Sequence, residues 1–281
     1  MTLRTIQQAL PSLALSLNIS QYQRADATAE MKAGAEGFEK RFSIEFATLT
    51  HFPKASLASL HHFSPSDLEQ PANTTVASVE DPSLLLEMGT LTEVANSVRI
   101  SVDDRRRYYD ALKRIYAKLP RNPDYDREDP NTLFVGIERE GRMIAESVDC
   151  LPAGHSIRPH AKRIWLDDGL LVGFTGIPPL PTFGNCVVID GAIASGSTLI
   201  ALLMHLHPFV NSFRIFSAHA TFEGLHALAR FASAAHLDVS VVVGHATKGI
   251  NEHYYAITEE DPKQVVVGDL GDTISELEQK Q

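Results

Sequence analysis

The sequence is poor in the features that mark several large protein classes. It holds two cysteines, Cys150 and Cys186, both in apolar settings. That excludes a disulfide-stapled scaffold and a cysteine-built zinc site, and it fits a reducing, cytoplasmic compartment. No run approaches the roughly 20 apolar residues that a membrane span requires. Residues 1–8 lack the apolar stretch and small-residue cleavage site of a secretory leader. Lys and Arg total 25 against 35 Asp and Glu, a formal net charge of −10, so the chain lacks the broad basic surface that nucleic acid or an anionic membrane demands. Internal repeats and low-complexity tracts are absent as well.

What is present is globular. Hydrophobic residues make up 44% and charged residues 21% of 281 positions, enough for one large domain or a domain with an appendage. The stretch that organises the chain runs from Asn185 to Leu199. Cys186–Ile189 is a short apolar run of the kind a buried parallel strand needs, ending at Asp190. A loop of small and hydroxyl residues, 191–198, follows, and then the Leu- and Ala-rich stretch to Leu206, with the composition of a helix packed on a sheet. Strand, acid, hydroxyl-rich loop and helix place backbone N–H groups at a positive dipole end, which suits a phosphate. A Walker-type loop is ruled out because Ser197 stands where its Lys would be, and the G-x-G-x-x-G spacing of a dinucleotide fingerprint is absent. An ordinary strand–turn–helix connection has the same composition.

Upstream, Leu3, Ile6, Leu10, Leu13 and Leu17 predict a helix within Thr2–Ser20, interrupted at Pro11. Ala27–Arg41 reads as helix, Phe42–Phe46 as a strand, and His51–Val79 as irregular. The His61–His62 pair reads as surface rather than a metal site, since no carboxylate or cysteine stands at ligand spacing. Ser101–Asp104 predicts a helix cap, with Tyr108, Leu112, Ile115 and Leu119 on one face and Pro120 as the stop. Arg105, Arg106 and Arg107 read as its solvated side. Leu133–Ile137 is a strand that runs into Glu138-Arg139-Glu140-Gly141-Arg142, either a surface turn or a pyrophosphate cradle. Met143–Val148 reads as helix.

Lys162–Asp168 predicts an edge strand. Gly169–Gly184, with three prolines and four glycines, predicts a long mobile connection. Phe213–Ala218 and Asp238–Val243 read as strands around an amphipathic helix at Thr221–Ala235. The alternation from Leu133 onward predicts an α/β fold, a mostly parallel sheet flanked by helices, preceded by an additional, largely helical N-terminal region. Residues 1–95 form that N-terminal region and 96–281 the α/β domain.

Four motifs in order resemble the type I phosphoribosyltransferases, most closely the uracil branch. Asp190 with Ala194-Ser195-Gly196-Ser197-Thr198 matches the family's acid and A-T-G-G-S/T turn, with Ser197 in place of the second glycine. Glu223–Gly224 matches the end of A-x-P-E-G. Ile250-Asn251-Glu252-His253 matches L-N-E-H, and Gly268-Asp269-Leu270-Gly271-Asp272 matches G-D-A-G-D. Ile137–Gly141 stands where the family has I-L-R-A-G. The resemblance covers Leu133–Asp272.

It implies transfer of a phosphoribosyl group from 5-phosphoribosyl 1-pyrophosphate to a uracil-like or other nitrogen heterocycle. Asp190 and Arg139 would be catalytic, and Ile193, Ala194, Ser195, Gly196, Ser197 and Thr198 would hold the 5′-phosphate. Tyr255, Ala256, Gly268 and Asp269 would border the acceptor. It further implies Mg²⁺ as a cofactor without a dedicated set of protein ligands, and a homo-oligomer. Three differences stand out: Ser197 itself, Asp167–Asp168 where the family supplies an arginine, leaving Lys162 or Arg163 to replace it, and the added Thr258–Val267 segment, which alters the acceptor pocket. The alternative reading is a non-catalytic protein of the same fold that binds a phosphorylated ribose or a partner protein.

Overall fold

Apolar runs with β-branched residues become strands buried on both faces, and in this chain they assemble into a parallel sheet. The computed structural model describes residues 20–22, 48–53, 74–79, 81–97, 99–119, 129–137, 141, 155–166, 169–251 and 254–267. Among them, β3 (Thr74–Ser78), β4 (Thr132–Gly136), β5 (Ser156–Ile157), β8 (Phe183–Ile193), β9 (Val210–Thr221) and β10 (Asp238–Thr247) form a sheet in the order β3-β10-β9-β8-β4-β5. Every pairing in it is parallel. A second, antiparallel sheet has the order β1-β2-β7-β6, from β1 (Ser20–Tyr22), β2 (Thr48–Pro53), β6 (His160–Leu166) and β7 (Gly169–Thr175).

Side-chain alternation along the central strands feeds two cores. Val188, Ile215 and Val241, aligned across β8, β9 and β10, pack with α3 (Ser197–Leu206) and α4 (Phe222–Ala234). Their neighbours Ile189, Phe216 and Val242 pack with α1 (Pro82–Ala95) and α2 (Val102–Lys118) on the opposite face. Phe52, Leu170, Val172 and Phe174 of the small sheet join the first core against α3.

The expected α2 forms as read. Ser101 Oγ accepts from the Asp104 N–H at 3.1 Å and the Asp104 carboxyl accepts from the Ser101 N–H at 3.0 Å, a reciprocal cap. Tyr108, Leu112 and Ile115 are fully buried on its inner face. Leu119 turns to extended backbone, as a residue before proline does. Antiparallel to it, α1 is held by Arg114–Glu87 at 2.7 Å, Arg107–Glu93 at 2.9 Å and Lys118–Asp81 at 3.2 Å.

Two expectations are corrected. Gly169–Thr175 is not part of a mobile connection but an inner strand between β2 and β6: Leu170, Leu171, Val172 and Phe174 are at most 1% exposed, and the prolines fall after it. His51–Val79 is not wholly irregular, because it contains the end of β2 and all of β3. The described residues up to 95 are three strands and one helix, and β3 pairs with β10, so the large sheet includes a strand upstream of residue 95. The helix expected over Thr2–Ser20 lies outside the described residues except for Ser20, which opens β1. The elements expected over Ala27–Arg41, Phe42–Phe46 and Met143–Val148 also lie outside them. Among the described residues no helix is long and apolar enough to cross a membrane.

Candidate functional site

Strand order reverses between β4 and β8: the chain leaves β4 toward β5 on one side, and leaves β8 toward β9 on the other. Open parallel sheets bind ligands in the crevice at the carboxyl ends of such strands. Asp190 stands on β8 at this position. The strand runs on past it to Ile193, through pairing of Ala192 with His219 and Ile193 with Ala220, so the loop is shorter than expected. It consists of Ala194, Ser195 and Gly196, and α3 begins at Ser197.

A solvent-open pocket lies here, lined by Arg163, Asp190, Ala192 and the run from Ile193 to Leu199. Gly196 adopts the left-handed conformation, φ 73°, at the N-cap of α3 with no side-chain cap. A Cβ at Gly196 would lie 2.8 Å from the Gly224 carbonyl oxygen, and one at Gly224 would lie 2.1 Å from that of Ala194. The loop therefore passes the first turn of α4 backbone to backbone. Thr221 Oγ1 locks this approach, donating to the Ala194 carbonyl at 2.6 Å and accepting from the Gly224 N–H at 2.9 Å.

The first bond within α3 is donated by the Ile200 N–H to the Gly196 carbonyl at 2.9 Å. The N–H groups of Ser197, Thr198 and Leu199 stand outside the helix's own ladder at its positive end. Ser195 and Ser197 are buried, and their hydroxyls hydrogen-bond each other at 2.9 Å. Ser197 is the first residue of a regular helix, and its hydroxyl braces that of Ser195.

Burial pushes the Asp190 carboxyl up to about 7, against the opposing pull of the Gly191 N–H and then Arg163. The Tyr116 hydroxyl, from α2, donates to the Asp190 carbonyl oxygen and lies 3.3 Å from that of Phe216. Arg163, on β6, spans the pocket: its guanidinium lies 5.1 Å from the Tyr255 ring centroid, and Nη2 donates to the Tyr255 hydroxyl at 3.4 Å. Of the two residues named as replacements for the missing family arginine, Arg163 lines the pocket; the Lys162 side chain lies outside the described set, as do Asp167 and Asp168.

The structure thus brings together Asp190, Ile193, Ala194, Ser195, Gly196, Ser197 and Thr198, with Tyr255 beside them through Arg163. Ala256 is 2% exposed in the core with α1 and α2, and its carbonyl accepts from the Val266 N–H at 2.8 Å. Arg139, Gly268 and Asp269 lie outside the described residues, as do Glu252 and His253. Gly141, from the turn expected to cradle pyrophosphate, abuts β8: a Cβ there would lie 2.1 Å from the Ile189 carbonyl oxygen. The added Thr258–Val267 segment docks on α1, where Asn96 exchanges bonds of 2.8 and 3.0 Å with the Val265 backbone and Thr92 Oγ1 donates to the Val266 carbonyl at 3.2 Å.

Sequence reasoning missed Thr221 and Tyr116. Thr221 carried a signal, a hydroxyl residue before an amphipathic helix; Tyr116 carried none, since its partner is 74 positions away.

No protein-family model matches the sequence, and no curated protein matches it. Solved structures do. The AQ2163 protein from Aquifex aeolicus is similar with a TM-score of 0.50 at 19% identity, over 70% of this chain and 96% of that one. Adenine phosphoribosyltransferase from Trypanosoma brucei, in complex with AMP, pyrophosphate and ribose-5-phosphate, is similar with a TM-score of 0.41 at 14% identity, over 62% of this chain and 84% of that one. Orotate phosphoribosyltransferase from Mycobacterium tuberculosis, in complex with inorganic phosphate, is similar with a TM-score of 0.35 at 12% identity, over 58% of this chain and 96% of that one. At 19% identity the likeness to the Aquifex aeolicus protein is one of fold.

Proposed function

We propose that this chain is a phosphoribosyltransferase that takes 5-phosphoribosyl 1-pyrophosphate and a uracil-like nitrogen heterocycle. The observation that supports it is the pairing, at one crevice, of an uncapped helix N-terminus having a hydroxyl-lined loop with a single carboxyl and an arginine. The N–H groups of Ser197 to Leu199 and the Thr198 hydroxyl receive the 5′-phosphate. Asp190 receives the ribose hydroxyls and stabilises the cationic centre at C1′. The C1′–oxygen bond to pyrophosphate breaks with its electron pair leaving on pyrophosphate, the bond from acceptor nitrogen to C1′ forms, and the acceptor's N–H proton passes to solvent water. Catalysis here is positioning and charge complementarity. Arg163 faces the leaving group, with Arg139 assigned the same task by resemblance.

Mg²⁺ fits this reading as the companion of the pyrophosphate. Among the described residues no three His, Cys, Asp or Glu side chains stand together, and Asp190 is the one carboxyl lining the pocket. Such a donor set suits an ion that arrives on phosphate oxygens and keeps several waters. It would neutralise charge on the departing pyrophosphate.

The test is pyrophosphate release from 5-phosphoribosyl 1-pyrophosphate and Mg²⁺ across a panel of bases beginning with uracil. Turnover that disappears in Asp190→Asn supports the proposal. Binding of ribose 5-phosphate without turnover on any base replaces it with the non-catalytic reading. No thermal protection by either phosphorylated ribose removes both.

A further inference from the structure

The first turn of α4 does more than hold the phosphate loop. Glu223, its second residue, is 3% exposed, and both of its carboxyl oxygens accept from the Gly249 N–H, at 3.0 and 3.2 Å. Capping does not explain it, because Thr221 already caps the helix through the Gly224 N–H. Burying a carboxyl is costly, and glutamate is rarely this buried without a specific partner. Its partner lies on the excursion that follows β10.

The described residues of that excursion, 249–251 and 254–257, are tied to one another. Gly249 has φ +114°, where a side chain would be strained, and its carbonyl accepts from the Ile257 N–H at 3.1 Å. Inside it, the Asn251 N–H donates to the Tyr255 carbonyl at 3.0 Å, the Tyr254 N–H to the Asn251 carbonyl at 2.9 Å, and the Tyr255 N–H to Asn251 Oδ1 at 3.0 Å. Its product is the placement of Tyr255 under the Arg163 guanidinium. One helical turn therefore holds the phosphate loop through Thr221 and Gly224, and the Tyr255 excursion through Glu223.

We infer that Glu223 is a positioning residue for the acceptor half of the pocket, fixing the 249–257 excursion relative to the phosphate loop. The assignment of an acceptor half rests on the proposed function; the hold on the excursion does not. Glu223 touches neither reactant.

The test is amide hydrogen exchange on the full chain, wild type against Glu223→Ala and Glu223→Gln, with ribose 5-phosphate affinity measured by calorimetry on each. Loss of a bond to a carboxyl predicts exchange over 249–257 about tenfold faster in Glu223→Ala, with α3 and α4 at wild-type rates. In Glu223→Gln the amide oxygen still accepts, and the rates return toward wild type. Ribose 5-phosphate affinity stays within about twofold in both, because the phosphate loop keeps Thr221 and Gly224. Unchanged exchange over 249–257 in Glu223→Ala overturns the inference, and so does equal acceleration across α3 and α4, which marks a merely structural residue. Should Glu223→Ala not fold, Glu223→Asp, one methylene shorter, is read by the same criteria. If wild type does not bind ribose 5-phosphate, the proposed function fails while the exchange rates still decide the role of Glu223.

Discussion

Asp190 carries opposite demands. In the proposed reaction, chemistry at a cationic ribosyl centre needs its carboxyl ionised, whereas burial pushes that carboxyl up to about 7. The rate of pyrophosphate release at low substrate is therefore expected to rise with pH through about 7 and then level. Asp190→Asn is expected to lower that rate by about 10²–10³-fold. Stability moves the other way. A carboxyl whose folded-state pKa is raised contributes stability that is complete below its unfolded value and is lost as pH climbs through the folded one. The asparagine variant, which cannot ionise, should gain in melting temperature over wild type at pH 8 and gain much less at pH 4.5, read by thermal unfolding at the two pH values. An equal difference at both would mean that Asp190 is not held near neutrality.

At the scale of elements, glycines separate the strained from the unconstrained. Gly196 combines a left-handed φ of +73° with 2.8 Å to a backbone oxygen, so Gly196→Ala must displace the phosphate loop or α4. Ribose 5-phosphate affinity measured by calorimetry should fall by about 5- to 30-fold, as an opening of that contact by about 1–2 kcal/mol implies. Gly89 is the contrast: it lies on the exposed face of α1 with nothing within 4 Å of an added Cβ. Gly89→Ala should stabilise the fold by about 0.5–1 kcal/mol in urea unfolding and leave affinity unchanged.

The same scale explains which elements were legible. β4, β8, β9 and β10 with α3 and α4 could be read because buried parallel strands are continuous apolar runs and amphipathic helices have a period; β5, two residues long, could not. In α2 the cap, the inner face and the proline stop all agreed. In the small sheet β6 was legible as the edge strand it is, and β7 was hidden. That strand carries glycine at both 169 and 173, and glycine reads as loop when the partner strands on either side are unknown. The 193–199 lining of the pocket was legible because it is one contiguous stretch. Tyr116, the placement of Ala256 and the docking of Thr258–Val267 on α1 were not, because each depends on a contact distant in sequence.

Across the whole molecule, the division at residue 95 separates parts that are physically joined. β3 pairs with β10, and α1 grips the 258–267 segment on the acceptor side. The pH response of the fold is a second property of the whole, because it collects groups from distant elements. Burial lowers His219 to about 3, with a further contribution from His245, and lowers His207 to about 4; it also lowers His205 and His245. His219 Nε2 pairs with Thr247 Oγ1 at 3.0 Å, while its buried Nδ1 has no partner. Imidazoles held neutral in the fold bind protons in the unfolded chain first, so their contribution is present above about 6.5 and is lost as pH falls toward 3–4. Asp190 acts in the opposite sense between about 4 and 7. Four histidines against one carboxyl make the histidines prevail, and the melting temperature should fall steadily from pH 6.5 to pH 4. His219→Phe removes one of the four without emptying the site. Its melting temperature should lie below wild type at pH 7.5, where the Thr247 bond is lost, and the gap should narrow or reverse by pH 4.5. A gap that is constant across that range would show that His219 takes up no proton on unfolding and that acid sensitivity originates elsewhere.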